Sequence, residues 1–461
     1  MRKLINFILP LMCLSLLAGC GENKKTYTVI WKNYDGSILE VDNNATEGSK
    51  PEYNKQTPTK EGNEFCNYSF IGWDKELEEV HSDQTYIAKF NADIKPTVTS
   101  FDVTLKRDLE FKFVSISSIE GQNLKINWGD GTTGNSETSH TYQSAGNYTI
   151  MVSNLGLVNC EANNTITAIS FGTTVTEIDK SAFFDCSKIT SVSFTDTITS
   201  IGNGAFYRCE SLETLELPNN VKSIGGSAFY GCKLIEKLYI PASTELIGTD
   251  AFKHCSSLEE IKVDPMNQYY DSRNDCNCLI NKTKKCLLLG CKNSFIPNGV
   301  EILSCNCFAE CSYLESIEIP SSVTKIEDKA FYRCTRLKSI VIPESVSYIG
   351  YSVFLECAKL ESVSILSNQI KTINHECFYR CFKLKEINIP SSVTKIGPVA
   401  FCECTSLESI FVPKSVTTMN EDVFFGCASL TIYCEAEEQP AGWSDSWNSS
   451  NRLVLWGQHS K

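Results

Sequence analysis

The sequence predicts a mainly β fold, a solenoid of stacked rungs preceded by two small β modules. Three observations predict it. The phrase "IPSSVTKIEDKAFYRC" (Ile319–Cys334) returns seventy residues later as "IPSSVTKIGPVAFCEC" (Ile389–Cys404). The chain around and between them divides into consecutive units of 23, 23 and 24 residues, opening at Leu314, Leu337 and Leu360, with further units opening at Leu384 and Leu407. Every unit closes with an aromatic residue and a cysteine in the same phase. A fixed period of this length marks units that bury a core only by stacking on their neighbours.

The unit can be justified position by position. In "LESIEIP" (Leu314–Pro320), Ile317 and Ile319 share the inner face of a short strand and the residue between them points outward. Pro320 removes a backbone donor and ends that strand. Val323 and Ile326 turn inward again, and Ala330, Phe331 and Cys334 return to the interior through a short helical or 3-10 turn on the convex side. With strands about 4.8 Å apart, roughly a dozen rungs make a body about 55 Å long. Earlier units open at Ile166, Ile189, Leu212 and Ile235. Leu258 opens a longer segment ending at Tyr313 that contains "IPNGVEILSCNCFAEC" (Ile296–Cys311), a double-length unit carrying an extra hairpin.

The pattern "LxxIxIPxSVTxIGxxAFxxCxx" resembles the BspA-like, or Treponema pallidum-type, leucine-rich repeat family over about Ile166 to Asn448. Within that resemblance "NDCNCLINKTKKCLLLGCKNSFIPNGV" (Asn274–Val300) is similar to the family's long inserted unit, and "LTIYCEAEEQPAGWSDSWN" (Leu430–Asn448) to its closing cap. The array is placed at 160–429 and the cap at 430–461.

Ahead of the array, "YTVIWKNYDGSILEVDN" and "FIGWDKELEEVHSDQTYIAKF" read as short alternating strands around a "YDGS" turn. Residues 27–91 resemble the Listeria–Bacteroides repeat, a β-grasp-like module. "ADIKPT" is a linker. "LKINWGDGTT" and "HTYQSAGNYTIMV" make residues 97–157 resemble a PKD-type, immunoglobulin-like sandwich, expected to dock on the first rung and cover its edge. At the start of the chain, Arg2 and Lys3, the apolar run Leu4–Leu17 and "LAGC" (Leu17–Cys20) together resemble a lipoprotein signal peptide over 1–19. The resemblance implies that Cys20 carries lipid, that 20–26 is a tether, and that the lipid anchor is the protein's contact with the membrane.

Composition narrows the chemistry. The 461 residues are 42 % hydrophobic and 21 % charged, as in folded protein, with a formal charge of -13. That balance, with no block of Lys and Arg, argues against nucleic acid as a partner. Ten of the 23 cysteines, from Cys186 to Cys427, recur at one repeat position and read as small core residues with a weak S–H donor. Cys276, Cys278, Cys286, Cys291, Cys305 and Cys307 crowd the insertion, but C-x-C spacing does not match the usual zinc knuckle, and a disulfide within the hairpin is the stronger expectation. So many free thiols on an exported chain imply a reducing habitat. His254 and His375 fill positions that hold Asp, Arg, Gly or Glu in other units, and His140 lies in the sandwich. The pairs Glu259/Glu260 and Glu437/Glu438 do not converge, and no nucleophile elbow, H-E-x-x-H or phosphate loop is present. No catalytic residue, cofactor or metal is assigned.

Function is therefore expected on the outward strand positions of the concave face. Most are small and polar. The larger candidates for ligand binding are Lys237, Tyr239, Glu260, Lys262, Glu318, Val341, Glu386, Asn388 and Phe411. Together these readings describe a surface-exposed, lipid-anchored bacterial envelope protein that binds host or bacterial surface proteins or glycans without covalent chemistry. Polysaccharide capture and a purely structural spacer are the alternatives. The family resemblance implies adhesion.

Overall fold

The computed structural model describes residues 24–459, so the signal segment and Cys20 lie outside the described residues. Two units are present, one ending at Lys95 and the other running from Pro96 onward. Among the described residues no helix is long and apolar enough to cross a membrane.

The first unit is a four-stranded sheet. Its strands are β1 (Thr26–Lys32), β2 (Ile38–Thr46), β3 (Cys66–Trp73) and β4 (Gln84–Ile94), in the order β2-β1-β4-β3. The central pair β1 and β4 is parallel and the outer pairs are antiparallel. Alternation along β1 buries Val29 and Trp31 on one face, where Trp31 stacks on Tyr86 at 4.8 Å and meets Trp73 at 4.5 Å.

In the second unit β5 (Thr99–Leu105) lies between the antiparallel strands Gly146–Ser153 and Ile166–Ser170. Ile166–Ser170 then pairs in parallel with Ser191–Ser193. The sheet thus changes from antiparallel to parallel at the first rung. Residues 99–159 cover the edge of that rung and share one core with it, from Phe101 and Phe113 to Phe183.

The rungs are joined by three ladders of backbone hydrogen bonds, all running between rungs; the first is interrupted at the rungs opening at Leu212 and Leu314, where the strand expected at Leu314–Pro320 does not form and Ile317 is only half-buried. The first is the expected strand ladder, as where Lys237–Ile240 meets Glu260–Val263 and Ser339–Ile342 meets Ser362–Ile365. The second is a two-residue strand at the "KI" of "SVTKI", seen where Glu177–Ile178, Ser200–Ile201, Ser223–Ile224 and Leu246–Ile247 pair in turn. The third lies in the "AFxxC" segment. There the i→i+3 bonds of a 3-10 turn are present, such as Tyr332 N–H to Lys329 O at 3.0 Å. They do not extend into a helix, because Lys329 and Arg333 are left-handed, with φ of 57° and 55°. These two residues redirect the chain so that the amides of Lys329, Phe331 and Arg333 donate to Tyr351, Val353 and Leu355 of the next rung. Pairs such as Ser352/Glu356, Glu376/Arg380 and Val399/Glu403 repeat the arrangement. The only helix among the described residues is the 3-10 turn Arg273–Asp275, outside the repeated phrase.

Side chains follow the ladders. Phe183, Phe206, Phe229 and Phe252 stack face to face at 5.2–5.5 Å, and Phe308 to Phe424 form a second stack at 5.3–5.7 Å. The repeated cysteine donates its S–H to a carbonyl 26 residues earlier, as from Cys334 to Phe308 O at 3.2 Å and Cys357 to Phe331 O at 3.1 Å. The second serine of "IPSSV" does the same with the valine of the previous rung, Ser345 to Val323 O at 2.6 Å and Ser415 to Val393 O at 2.8 Å. At the end, the Trp443 indole donates to Val416 O and Trp447 closes edge-on over Phe424.

The expected hairpin is present between Cys278–Asn281 and Cys286–Gly290, and the latter joins the second ladder by pairing in parallel with Ile302–Leu303. It also divides the interior. One core runs from Phe101 to Cys291 and the other from Cys276 to Trp447, overlapping in sequence at the hairpin. Replacing Phe331 by Ala should cost about 3–5 kcal/mol. In native-state hydrogen exchange the loss of protection should fall on rungs after the hairpin while Phe183–Phe252 keep theirs. Uniform loss along the array would contradict two separable cores.

Candidate functional site

The expected binding residues separate into two groups. Register places Lys237 beside Glu260 and Tyr239 beside Lys262 on adjacent strands. Glu260 pairs with Lys262 and lies 3.7 Å from Lys237, so one carboxylate serves two ammonium groups. The hydrogen bond from Lys262 holds the Glu260 carboxyl below the ordinary glutamate range. Tyr239 is 46 % exposed, and its hydroxyl donates to Asp264 at 2.6 Å, which fixes the ring against the strand. These four residues form one patch.

Glu318, Val341, Glu386, Asn388 and Phe411 are spread over later rungs. Glu318 and Glu386 are exposed, and Val341 is 51 % exposed. Asn388 is already engaged: its amide nitrogen donates to Ile365 O and its oxygen accepts from Ile365 N–H, both at 2.8 Å, closing the strand ladder. Phe411 is only partly exposed and lies in register with Tyr433 of the next rung, a neighbour the sequence reading did not single out.

The larger omission lies on the turn face. The left-handed position after "AFx" looked interchangeable because it holds Asp, Arg, Gly, His or Glu. Stacked, it is a column of alternating charge. Asp185 faces Arg208 at 3.7 Å. Beyond Gly231, His254 bonds Glu310 at 2.6 Å, and Glu310 meets Arg333 at 3.6 Å. Arg333 meets Glu356 at 2.7 Å, Glu356 meets Arg380 at 3.6 Å, and Arg380 meets Glu403 at 3.1 Å. His254 and Glu310 become neighbours only because the insertion is looped out between them. One position earlier, Phe184, Tyr207 and Tyr230 stack at 4.6 and 4.9 Å, with His254 tilted against Tyr230 at 4.6 Å. Lys253 breaks this aromatic column: it is buried and reaches Leu288 O at 2.5 Å, in the strand that the insertion supplies.

Among the described residues no group of three His, Cys, Asp or Glu side chains could hold an ion. The disulfide expected in the hairpin is absent: Cys276, Cys278, Cys286 and Cys291 are free thiols, and Cys278 donates to Cys276 O and Phe295 O at 3.4 Å. Burial pushes the Cys278 thiol well above its ordinary range and moves Cys186 and Cys357 up to about 12. Cys305 alone among the described cysteines is exposed. In the sandwich segment, His140 bonds Asp130 at 2.7 Å and stacks on Trp128 at 5.0 Å. Burial would raise the Asp130 carboxyl, but hydrogen bonds from Thr132 and His140 prevail and hold it at about 2. His140 thus braces the "WGDG" turn.

Coils of about twenty-three residues, with strands on one side and aromatic turns on another, define a leucine-rich repeat solenoid. A family model described as the BspA type leucine rich repeat region matches residues 158–281 and 301–431 in six copies. The chain belongs to the BspA-type leucine-rich repeat family. A leucine-rich repeat protein from Eubacterium ventriosum is similar in fold at 23 % identity with a TM-score of 0.55, over 67 % of this chain and 91 % of that one. A leucine rich cell surface protein from Faecalibacterium prausnitzii matches at 22 % identity and a TM-score of 0.46, over 75 % and 98 %. The pneumococcal vaccine antigen PcpA matches at 19 % and 0.49, over 66 % and 83 %. No curated protein matches the chain.

Alternation along the turn face keeps like charges apart at rung spacing, where they would repel. Glu356→Lys would set a third cation between Arg333 and Arg380. It should lower stability by about 1 kcal/mol. Calorimetry at increasing salt should shrink the deficit, and a salt-independent deficit would mean that packing and not charge is responsible.

Proposed function

We propose that the protein is a lipid-anchored, surface-exposed envelope component that binds host or cell-surface macromolecules through its strand face. The observation that carries this reading is the Lys237–Tyr239–Glu260–Lys262 patch. It presents an aromatic ring held by Asp264 beside a network of three charges, on a scaffold whose backbone is fixed by neighbouring rungs. A fixed ring and fixed charges lose little freedom on contact, which favours recognition of a partner's surface. Val341 extends the exposed apolar area on a later rung. The named residues support binding and offer no converging acid, base or nucleophile. Polysaccharide capture would favour a continuous aromatic row on this face, and Phe411 is too covered to extend one from Tyr239.

An array of matrix proteins, cell-surface proteins and glycans probed with the full-length protein should yield a saturable ligand. Tyr239→Ala should weaken it about tenfold, about 1.4 kcal/mol, with unchanged thermal unfolding. Binding that survives Tyr239→Ala together with Lys237→Ala and Lys262→Ala would move the site elsewhere, and no saturable ligand at all would favour the spacer. Lipid attachment is tested separately. Metabolic labelling with a fatty acid should mark the wild type and leave Cys20→Ser unlabelled.

A further inference from the structure

Charge alternation fails in two places along the edge of the strand face. Each rung opens on a buried apolar residue, and the residues just before and just after it point outward. The long segment divides at Cys291, 23 residues before Leu314, and Lys292 bonds Glu259 on the rung ahead of it. On the three rungs before Cys291 the residue after the opening one is Glu213, Glu236 and Glu259. On the three rungs after Tyr313 the closing residue is Arg336, Lys359 and Lys383. All six are exposed. Each run sets like charges one strand spacing apart, where they repel.

The chain answers these runs only near their inner ends. Glu259 is held by Lys292, and Arg336 rests over the Tyr313 ring at 5.9 Å. Farther out, among the described residues, Glu213 and Glu236 form no ion pair, since the neighbouring Lys233 and Lys237 are engaged by Glu210 and Glu260. Lys359 and Lys383 form none either. The carboxylates of Glu315 and Glu361 bond Lys338 and Lys385, and Glu386 and Glu408 add their field at Lys385. Tyr313, between the runs, is 55 % exposed.

The two runs are equal in length and rung spacing and opposite in sign, and the single rung Cys291–Tyr313 separates them. Such an edge is its own complement. A half-turn about an axis across that rung carries the glutamate rungs onto the cation rungs, outermost on outermost. A ligand of one charge sign would answer one run and be repelled by the other. We infer that this edge is a self-association surface, on which a second copy of the chain docks antiparallel about a two-fold axis. Glu213 then meets Lys383 of the second copy and Glu236 meets Lys359, and symmetry repeats both contacts. The two columns flank the opening residue, an offset that extended Glu and Lys side chains span. The two Tyr313 rings lie beside the axis and give the interface an aromatic centre within a charged rim.

The test is sedimentation velocity on the full-length protein at low ionic strength. The wild type should show a concentration-dependent monomer–dimer equilibrium that added salt shifts toward monomer. Tyr313→Ala should weaken the dimer about tenfold. The double variant Glu213→Lys, Glu236→Lys should weaken it by about a hundredfold or more, and so should Lys359→Glu, Lys383→Glu, because each now opposes like charges in both contacts. Unfolding temperatures of both should stay near that of the wild type, since all four positions are exposed. Mixing the two double variants should restore a dimer that contains one of each, with opposite charges facing again. A wild type that stays monomeric at every concentration would overturn the inference. So would a dimer that neither double variant weakens, or double variants that remain monomeric when mixed.

Discussion

The array depends on one constraint: its backbone hydrogen bonds run from each rung to the next. In a helix those bonds stay within the segment, and side-chain neighbours are three or four residues apart. Here neighbours are a whole unit apart in sequence and one strand spacing apart in space. Every side chain is consequently stacked on its counterpart. Phenylalanine must lie on phenylalanine, because a smaller residue would open a void against two neighbours at once. Cysteine and serine are suited to their columns because each is small and each carries a donor that reaches a carbonyl of the preceding rung. Charge obeys the same rule on the surface, where like signs in register would repel. Glu315 with Lys338 and Glu361 with Lys385 show it again on another column.

This explains which parts of the fold could be read in advance. The strand positions, the proline stop, the buried aromatic and cysteine, the extra hairpin and the tryptophan-rich close are all repeated or conspicuous residue types, so the period exposes them. The left-handed turns were not legible. Ser, Asp, Lys, Glu, Arg, His and even Val399 occupy most of those backbone positions, and glycine stands there only at Gly204, Gly231 and Gly426, so a typical unit does not announce φ > 0. The i→i+3 spacing of the segment is that of a helical or 3-10 turn. What decides its shape is where the amides of the neighbouring rung must go.

The candidate surfaces divide similarly. Tyr239, Lys237 and Lys262 could be found because strand alternation alone assigns them outward. The bonds of Asn388 and the cover over Phe411 depend on neighbouring rungs and so were hidden. The turn-face column was hidden for a different reason. A position that changes from Asp to Arg to Gly to His looks unconstrained when residues are compared by identity. It is constrained when they are compared by sign, one rung to the next. The insertion conceals it further, because His254 and Glu310 are neighbours across 56 residues.

The thiols also change meaning once they are placed. Their number had pointed to a reducing habitat, yet nearly all are enclosed, with ionisation suppressed by burial. Enclosed, protonated thiols react slowly whatever surrounds them, so their survival does not report on the environment. Cys305, which alone among the described cysteines stands open to solvent, near the middle of the array, is left as a natural attachment point. A maleimide dye or a surface-bound linker would meet a single address on an otherwise silent coil. The protein could be oriented on a sensor chip, or tagged for single-molecule imaging, with its native sequence intact.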